Sequence, residues 1–177
     1  MGSSKQGGNG NGKGHRALGE VRPGDAAFLR LGELLAADGW HAQRLGESHV
    51  YRLHCTGKHG SFACYAQVRV DLEQLLFYAV CPVRIPEEAR LRVAEFITRA
   101  NYGMRIGNFE LDFGDGELRF KTSLDFEGTD LDAGLVRGLV YPAVHTLDAY
   151  LPGVLAVAHG EKTPLEAVRM IEDPDED

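Results

Sequence analysis

The chain has 177 residues, 44% of them hydrophobic, and a formal net charge of −7. That length carries one sizeable core and is short for two ordinary domains, and an acidic surface is a poor match for nucleic-acid phosphates. No stretch reaches the roughly 18 apolar residues of a membrane span, and the Gly-rich start lacks the apolar segment of a signal peptide.

A cytoplasmic protein is therefore expected, with neither membrane nor nucleic acid as a partner. Three cysteines, an odd number without a secretion signal, read as free thiols in a reducing compartment. Residues 1–22 are mostly Gly, Asn, Ser and Lys, too polar to offset the entropy of ordering, and read as a disordered tail. Met1-Gly2 opens like a myristoylation site, but Gln6 stands where Ser or Thr is required, so no lipid anchor is expected. One domain is expected over 23–171, followed by an acidic tail over 172–177.

In chain order, Ala27, Phe28, Leu31, Leu34 and Leu35 repeat at helical spacing, and Gly39 is a plausible stop. Alternation then sets in. Tyr51, Leu53 and Cys55 share one side of a strand, and Phe62, Cys64, Ala66 and Val68 share one side of the next, with a turn over 56–60. Pairing Cys55 with Phe62, Leu53 with Cys64 and Tyr51 with Ala66 puts both apolar rows on one face. A third strand over 74–83 is apolar on both faces, as for a strand that is covered twice or lies centrally, and Pro82 closes it.

Pro86 suits a first helical turn, and Glu87 and Glu88 suit the positive end of the helix dipole. The buried stripe of this second helix is Ala89, Val93, Phe96, Ile97 and Ala100, with Gly103 as its cap and Asn101 bonding the helix end locally.

Next, Phe109, Leu111 and Phe113 alternate with Asn108, Glu110 and Asp112, and Asp115-Gly116 is a two-residue turn signal. That turn places Phe113 opposite Leu118, Leu111 opposite Phe120 and Phe109 opposite Thr122, and on the other face pairs Asp112 with Arg119 and Glu110 with Lys121. Thr129 and Asp132 have capping-box spacing before a long helix on Leu131, Leu135, Leu139, Ala143 and Leu147, which Pro142 should kink. Thr163-Pro164-Leu165-Glu166 repeats the capping pattern before a short final helix.

The run Asn101-Tyr102-Gly103-Met104-Arg105-Ile106-Gly107-Asn108-Phe109-Glu110-Leu111-Asp112, followed by Gly116-Glu117-Leu118-Arg119-Phe120, resembles the central signature of YbjN-like bacterial proteins. Tyr150-Leu151-Pro152-Gly153 and Thr163-Pro164-Leu165-Glu166-Ala167 resemble that family's downstream pattern, so the likeness spans roughly residues 25–171. It implies an α+β fold of order α-β-β-β-α-β-β-α, an antiparallel sheet packed with helices as in type III secretion chaperones. Those are dimers that hold a partner polypeptide and catalyse nothing. The family is also described as sensory-transduction regulators.

The function expected from this resemblance is a non-enzymatic, chaperone-like protein-binding module, a homodimer holding a partner polypeptide. The alternative is a sensory or regulatory domain with a small ligand. The signature residues Asn101, Tyr102, Gly103, Gly107, Asn108, Phe109, Glu110, Asp112, Gly116, Leu118 and Phe120 read as fold-making. Gly103 fits a cap, Gly107 a tight turn into a strand, and Gly116 a hairpin position with positive φ.

Other chemistry is weakly signalled. His54, Cys55, His59 and Cys64 are metal-ligand types, but His54 and Cys55 are strand neighbours on opposite faces. Cys64 and Cys81 make a redox pair only if the second turn opposes them. Glu110 and Asp112 suit paired acid–base carboxylates, yet the hairpin gives them basic partners. No nucleophile motif is present. The Gly-rich run from Gly7 to Gly14 follows no strand and opens no helix, so it lacks the context of a phosphate loop. No catalytic residue, cofactor or metal is expected.

Overall fold

The computed structural model of the chain describes residues 23–173. The tail expected over 1–22, and residues 174–177 of the acidic end, lie outside the described residues. The elements are α1 (Pro23–Ala37), β1 (Gln43–Arg44), β2 (Val50–Thr56), β3 (Ser61–Arg69), β4 (Gln74–Val80), α2 (Arg90–Gly103), β5 (Asn108–Leu111), β6 (Leu118–Asp125), α3 (Ala133–Ala158) and α4 (Pro164–Glu172). The strands form one antiparallel sheet in the order β1-β2-β3-β4-β6-β5. This α+β order is the expected one with a two-residue edge strand, β1, added in front.

The first hairpin has the expected register: Cys55 opposes Phe62, Leu53 opposes Cys64, and Tyr51 opposes Ala66. Phe62, Cys64, Ala66 and Val68 are buried together with Leu75, Phe77 and Ala79 of β4 and Leu118 and Phe120 of β6. The helices pack against that one face: α3 crosses β4 and β6, α1 meets β3, α2 meets β5, and α4 closes over α2 and α3. Of the two explanations for β4's apolar faces, central position holds. Its outer residues Leu76, Tyr78 and Val80 are only half-buried.

The second hairpin departs from expectation by two residues. Phe109 opposes Phe120, Glu110 opposes Arg119, and Leu111 opposes Leu118. Phe113 lies in the loop, 51% exposed, instead of opposite Leu118. A two-residue turn of the kind the Asp-Gly pair signals needs positive φ at both central residues. Only Gly116 has it, at 75°, and Asp115 does not. The loop 113–116 is instead held from outside: Ile85 N–H donates to the Gly116 carbonyl at 2.8 Å, and Arg90 donates to the Phe113 carbonyl at 2.7 Å. A slip of two keeps the same side chains on each face, so Phe109 still points into the core.

The buried stripe of the second helix, Ala89, Val93, Phe96, Ile97 and Ala100, is as expected, although its first turn, Glu87–Ala89, is 3₁₀. Gly103 is not the cap. It is the last helical residue, and extended Met104 caps the helix by donating to Asn101 O.

The N-cap of α3 is Asp132 alone, accepting from Leu135 N–H at 2.8 Å, so Thr129 has no capping role there. The helix continues through both Pro142 and Pro152. Pro142 cannot donate to the Gly138 carbonyl. One residue along, the Leu139 carbonyl accepts from the hydroxyl of Thr122 on β6 at 3.1 Å. Thr122 is the buried polar side chain of the core among the described residues, and this bond ties the sheet to α3. At α4 the capping box forms as expected: Glu166 accepts from Thr163 N–H at 2.8 Å, and Thr163 Oγ1 accepts from Glu166 N–H. Glu172, expected in the acidic tail, ends α4 and accepts from Tyr150 OH at 2.6 Å.

Candidate functional site

With the helices on one side, the other face of the sheet is left open by the described residues. Strand alternation and register put Val50, Tyr65, Gln67, Leu76, Tyr78 and Val80 on it, all half-buried. Tyr65 and Tyr78 are directly opposed, and the Arg119 guanidinium stands 4.4 Å over the Tyr78 ring. Val50, Tyr65, Gln67, Tyr78, Val80, Glu117 and Arg119 enclose a shallow concavity of about 280 Å³ on this face.

Charge is distributed unevenly across the face. β2 and β3 contribute Arg52, His54 and Arg69 and no carboxylate. On β5 and β6, Glu110 is matched by Arg119 at 2.8 Å and by Lys121. Burial pushes the Glu110 carboxyl up, but the hydrogen bonds and charges of Lys121 and Arg119 outweigh it, and the net displacement is downward. Glu110 is therefore ionised and occupied. Asp112, expected opposite Arg119, instead accepts from Gly114 N–H at 2.6 Å across the loop.

The remaining signature residues lie beneath and beside this hairpin. Phe109 meets Phe120 edge-on at 4.9 Å and Tyr150 at 5.4 Å. A Cβ on Gly107 would stand 2.6 Å from the Lys121 carbonyl oxygen, so the backbone there admits only glycine. Leu118 and Phe120 are fully buried. Asn101 does not bond the helix end through its side chain. Its amide reaches over to the backbone of Phe109. Tyr102 alone points away, 97% exposed.

A second concavity, about 500 Å³, lies where the end of α1 meets β2 and α3, lined by Asp38, Trp40, His41, His54, Cys55 and Tyr141 among others. Asp38 accepts from Arg137 at 2.7 Å and from Tyr141 at 2.9 Å, and these donors hold its carboxyl below the usual range. No sequence pattern signals this cluster, because its members are up to a hundred residues apart.

The metal and redox candidates separate. His59 is engaged with Asp148, its Nδ1 at 3.0 Å from the Asp148 carbonyl oxygen, and Cys64 is buried. No group of three or more His, Cys, Asp or Glu side chains among the described residues is placed to hold a metal ion. Cys64 opposes Ala79 rather than Cys81, and all three thiols are free. Burial pushes the thiols of Cys55, Cys64 and Cys81 up, opposite to what a nucleophile needs. No helix among the described residues is long and apolar enough to cross a membrane.

An antiparallel six-stranded sheet carrying four helices on one face makes this an α+β domain built around the Asn101 to Phe120 hairpin signature. The chain belongs to the YbjN family, whose model matches residues 30–156 and is described as "putative bacterial sensory transduction regulator". Its fold is similar to the crystal structure of YbjN from E. coli, described as "a putative transcription regulator". The TM-score is 0.55 at 18% identity, over 74% of this chain and 91% of that one. No curated protein matches the chain.

Proposed function

We propose that this protein is a non-enzymatic regulatory domain that holds a segment of a partner polypeptide on the open face of its sheet. The observation that carries this reading is that face itself: an apolar and aromatic strip, Val50, Tyr65, Leu76, Tyr78 and Val80, left uncovered by the described residues in the middle of the sheet. The absence of carboxylates from β2 and β3 beside Arg52 and Arg69 favours a segment that is apolar along its centre and acidic on the flank lying over those strands. The family's description as a regulator agrees with a protein that binds rather than catalyses. By likeness to the secretion chaperones, the working form is a cytoplasmic homodimer.

Replacing Leu76 and Val80 together by Asp tests this reading, because both side chains are partly exposed and the core beneath is untouched. The variant should keep its helical and strand circular dichroism and lose the polypeptides that copurify with the wild type. Unchanged copurification contradicts the reading. Light scattering that returns only a monomer contradicts the dimer.

The concavity lined by Trp40, His41, His54 and Tyr141 favours a second reading, a regulatory domain sensing a small ligand. A compound that raises the melting temperature of the wild type but not of Trp40→Ala would support it, and a broad screen without any stabilising compound would count against it.

A further inference from the structure

β5 is an edge strand, and of its two outward-facing residues, Phe109 and Leu111, Phe109 has its backbone hydrogen bonds already made. Asp112 N–H donates to Glu117 O at 2.8 Å, which sets the phase of the ladder: Glu110 and Asn108 bond inward to β6, and Phe109 directs its N–H and C=O away from the sheet. Asn101, in the last turn of α2, takes both. Its Oδ1 accepts from Phe109 N–H at 2.8 Å, and its Nδ2 donates to Phe109 C=O at 3.1 Å. A carboxamide presents the same acceptor and donor as a peptide unit. Asn101 thus makes the two bonds that a residue of a seventh strand would make. The opposite edge, β1, has only two residues and offers little to pair with.

We propose that the outer edge of β5 is a self-association edge held closed by Asn101. With the amide withdrawn, β5 pairs antiparallel with β5 of a second copy and continues the sheet across a two-fold axis. Such a pair is self-complementary, so one surface serves both copies. Charge selects the register. With Phe109 opposite its own counterpart, Asn108 faces Glu110 of the second copy, a neutral donor against a carboxylate. A slip that sets Phe109 opposite Leu111 would bring Glu110 against Glu110 and is disfavoured. Anything that draws the C-terminal turn of α2 off β5 opens this edge.

The test is sedimentation velocity over a range of concentrations on the wild type, Asn101→Ala, and Asn101→Ala with Asn108→Glu, alongside hydrogen exchange at the Phe109 amide. The Ala variant should gain mass over the wild type as concentration rises, with a Phe109 amide that is protected when concentrated and exchanges quickly on dilution. Adding Asn108→Glu sets two carboxylates face to face and should restore the wild-type mass. An Ala variant with wild-type mass and a fast-exchanging Phe109 amide at every concentration overturns the proposal, as does a double variant that associates equally well. If Asn101→Ala does not fold, Asn101→Asp keeps the acceptor for Phe109 N–H, loses the donor to its carbonyl, and is judged by the same readouts.

Discussion

Gly116 lies directly against Ile85: a Cβ on Gly116 would stand 2.2 Å from the Ile85 carbonyl oxygen, while the Gly116 carbonyl accepts from Ile85 N–H at 2.8 Å. The hairpin turn is therefore fixed by the segment before α2 as well as by its own residues. Gly128 has the same φ, 75°, with nothing within 4 Å of its Cβ position. Gly128→Ala should cost about 1 kcal/mol from the backbone conformation alone. Gly116→Ala should cost clearly more, on the order of 3 kcal/mol, because backbone must also move. Urea unfolding of the two variants reads the difference, and equal losses would contradict the Ile85 contact.

Glu110 gives a pH prediction. Its folded pKa lies below the ordinary value of 4.5, so its bonds to Lys121 and Arg119 stabilise the fold fully above that value. The contribution is lost as pH falls through the lowered folded pKa. Glu110→Gln should cost about 1 kcal/mol at neutral pH, with the gap to wild type closing in strongly acid solution. A constant gap from neutral to strongly acid solution would contradict this assignment.

Thr122→Val preserves shape but removes the donor to Leu139 C=O inside the core. About 1 kcal/mol should be lost, the net worth of one buried hydrogen bond between β6 and α3. The urea midpoint should fall with the m-value unchanged.

Thr163→Ala removes one half of the capping box of α4. About 1 kcal/mol is the expected cost. Hydrogen exchange should show it first at Glu166, whose N–H bonds Thr163 Oγ1.

How far these features can be read in the sequence follows the range of the interactions that set them. The register of β2 on β3 is legible because Leu53 and Cys55 must share a buried face with Cys64 and Phe62, and little outside the pair competes. The register of β5 on β6 is not legible. Asp115-Gly116 suggests a tight turn, and the decisive contacts come from Ile85 and Arg90, more than twenty residues away. The role of Asn101 is hidden in the same way, since a helix-end asparagine suggests a local bond and here makes its bonds to a strand edge. The strip Tyr65, Leu76, Tyr78 and Val80 looks like ordinary strand pattern until the helices are seen to occupy one side only.

Partner binding on the open face is tested most directly by site-specific photocrosslinking in the native cell. A photoreactive side chain is placed at Tyr78, in the middle of the face, and separately at Tyr102, which is 97% exposed but off it. Position 78 should yield a discrete polypeptide adduct that disappears when Leu76 and Val80 are changed to Asp, and position 102 should yield none. Equal adducts from both positions, or an adduct at 78 that survives the two Asp substitutions, would contradict binding on this face.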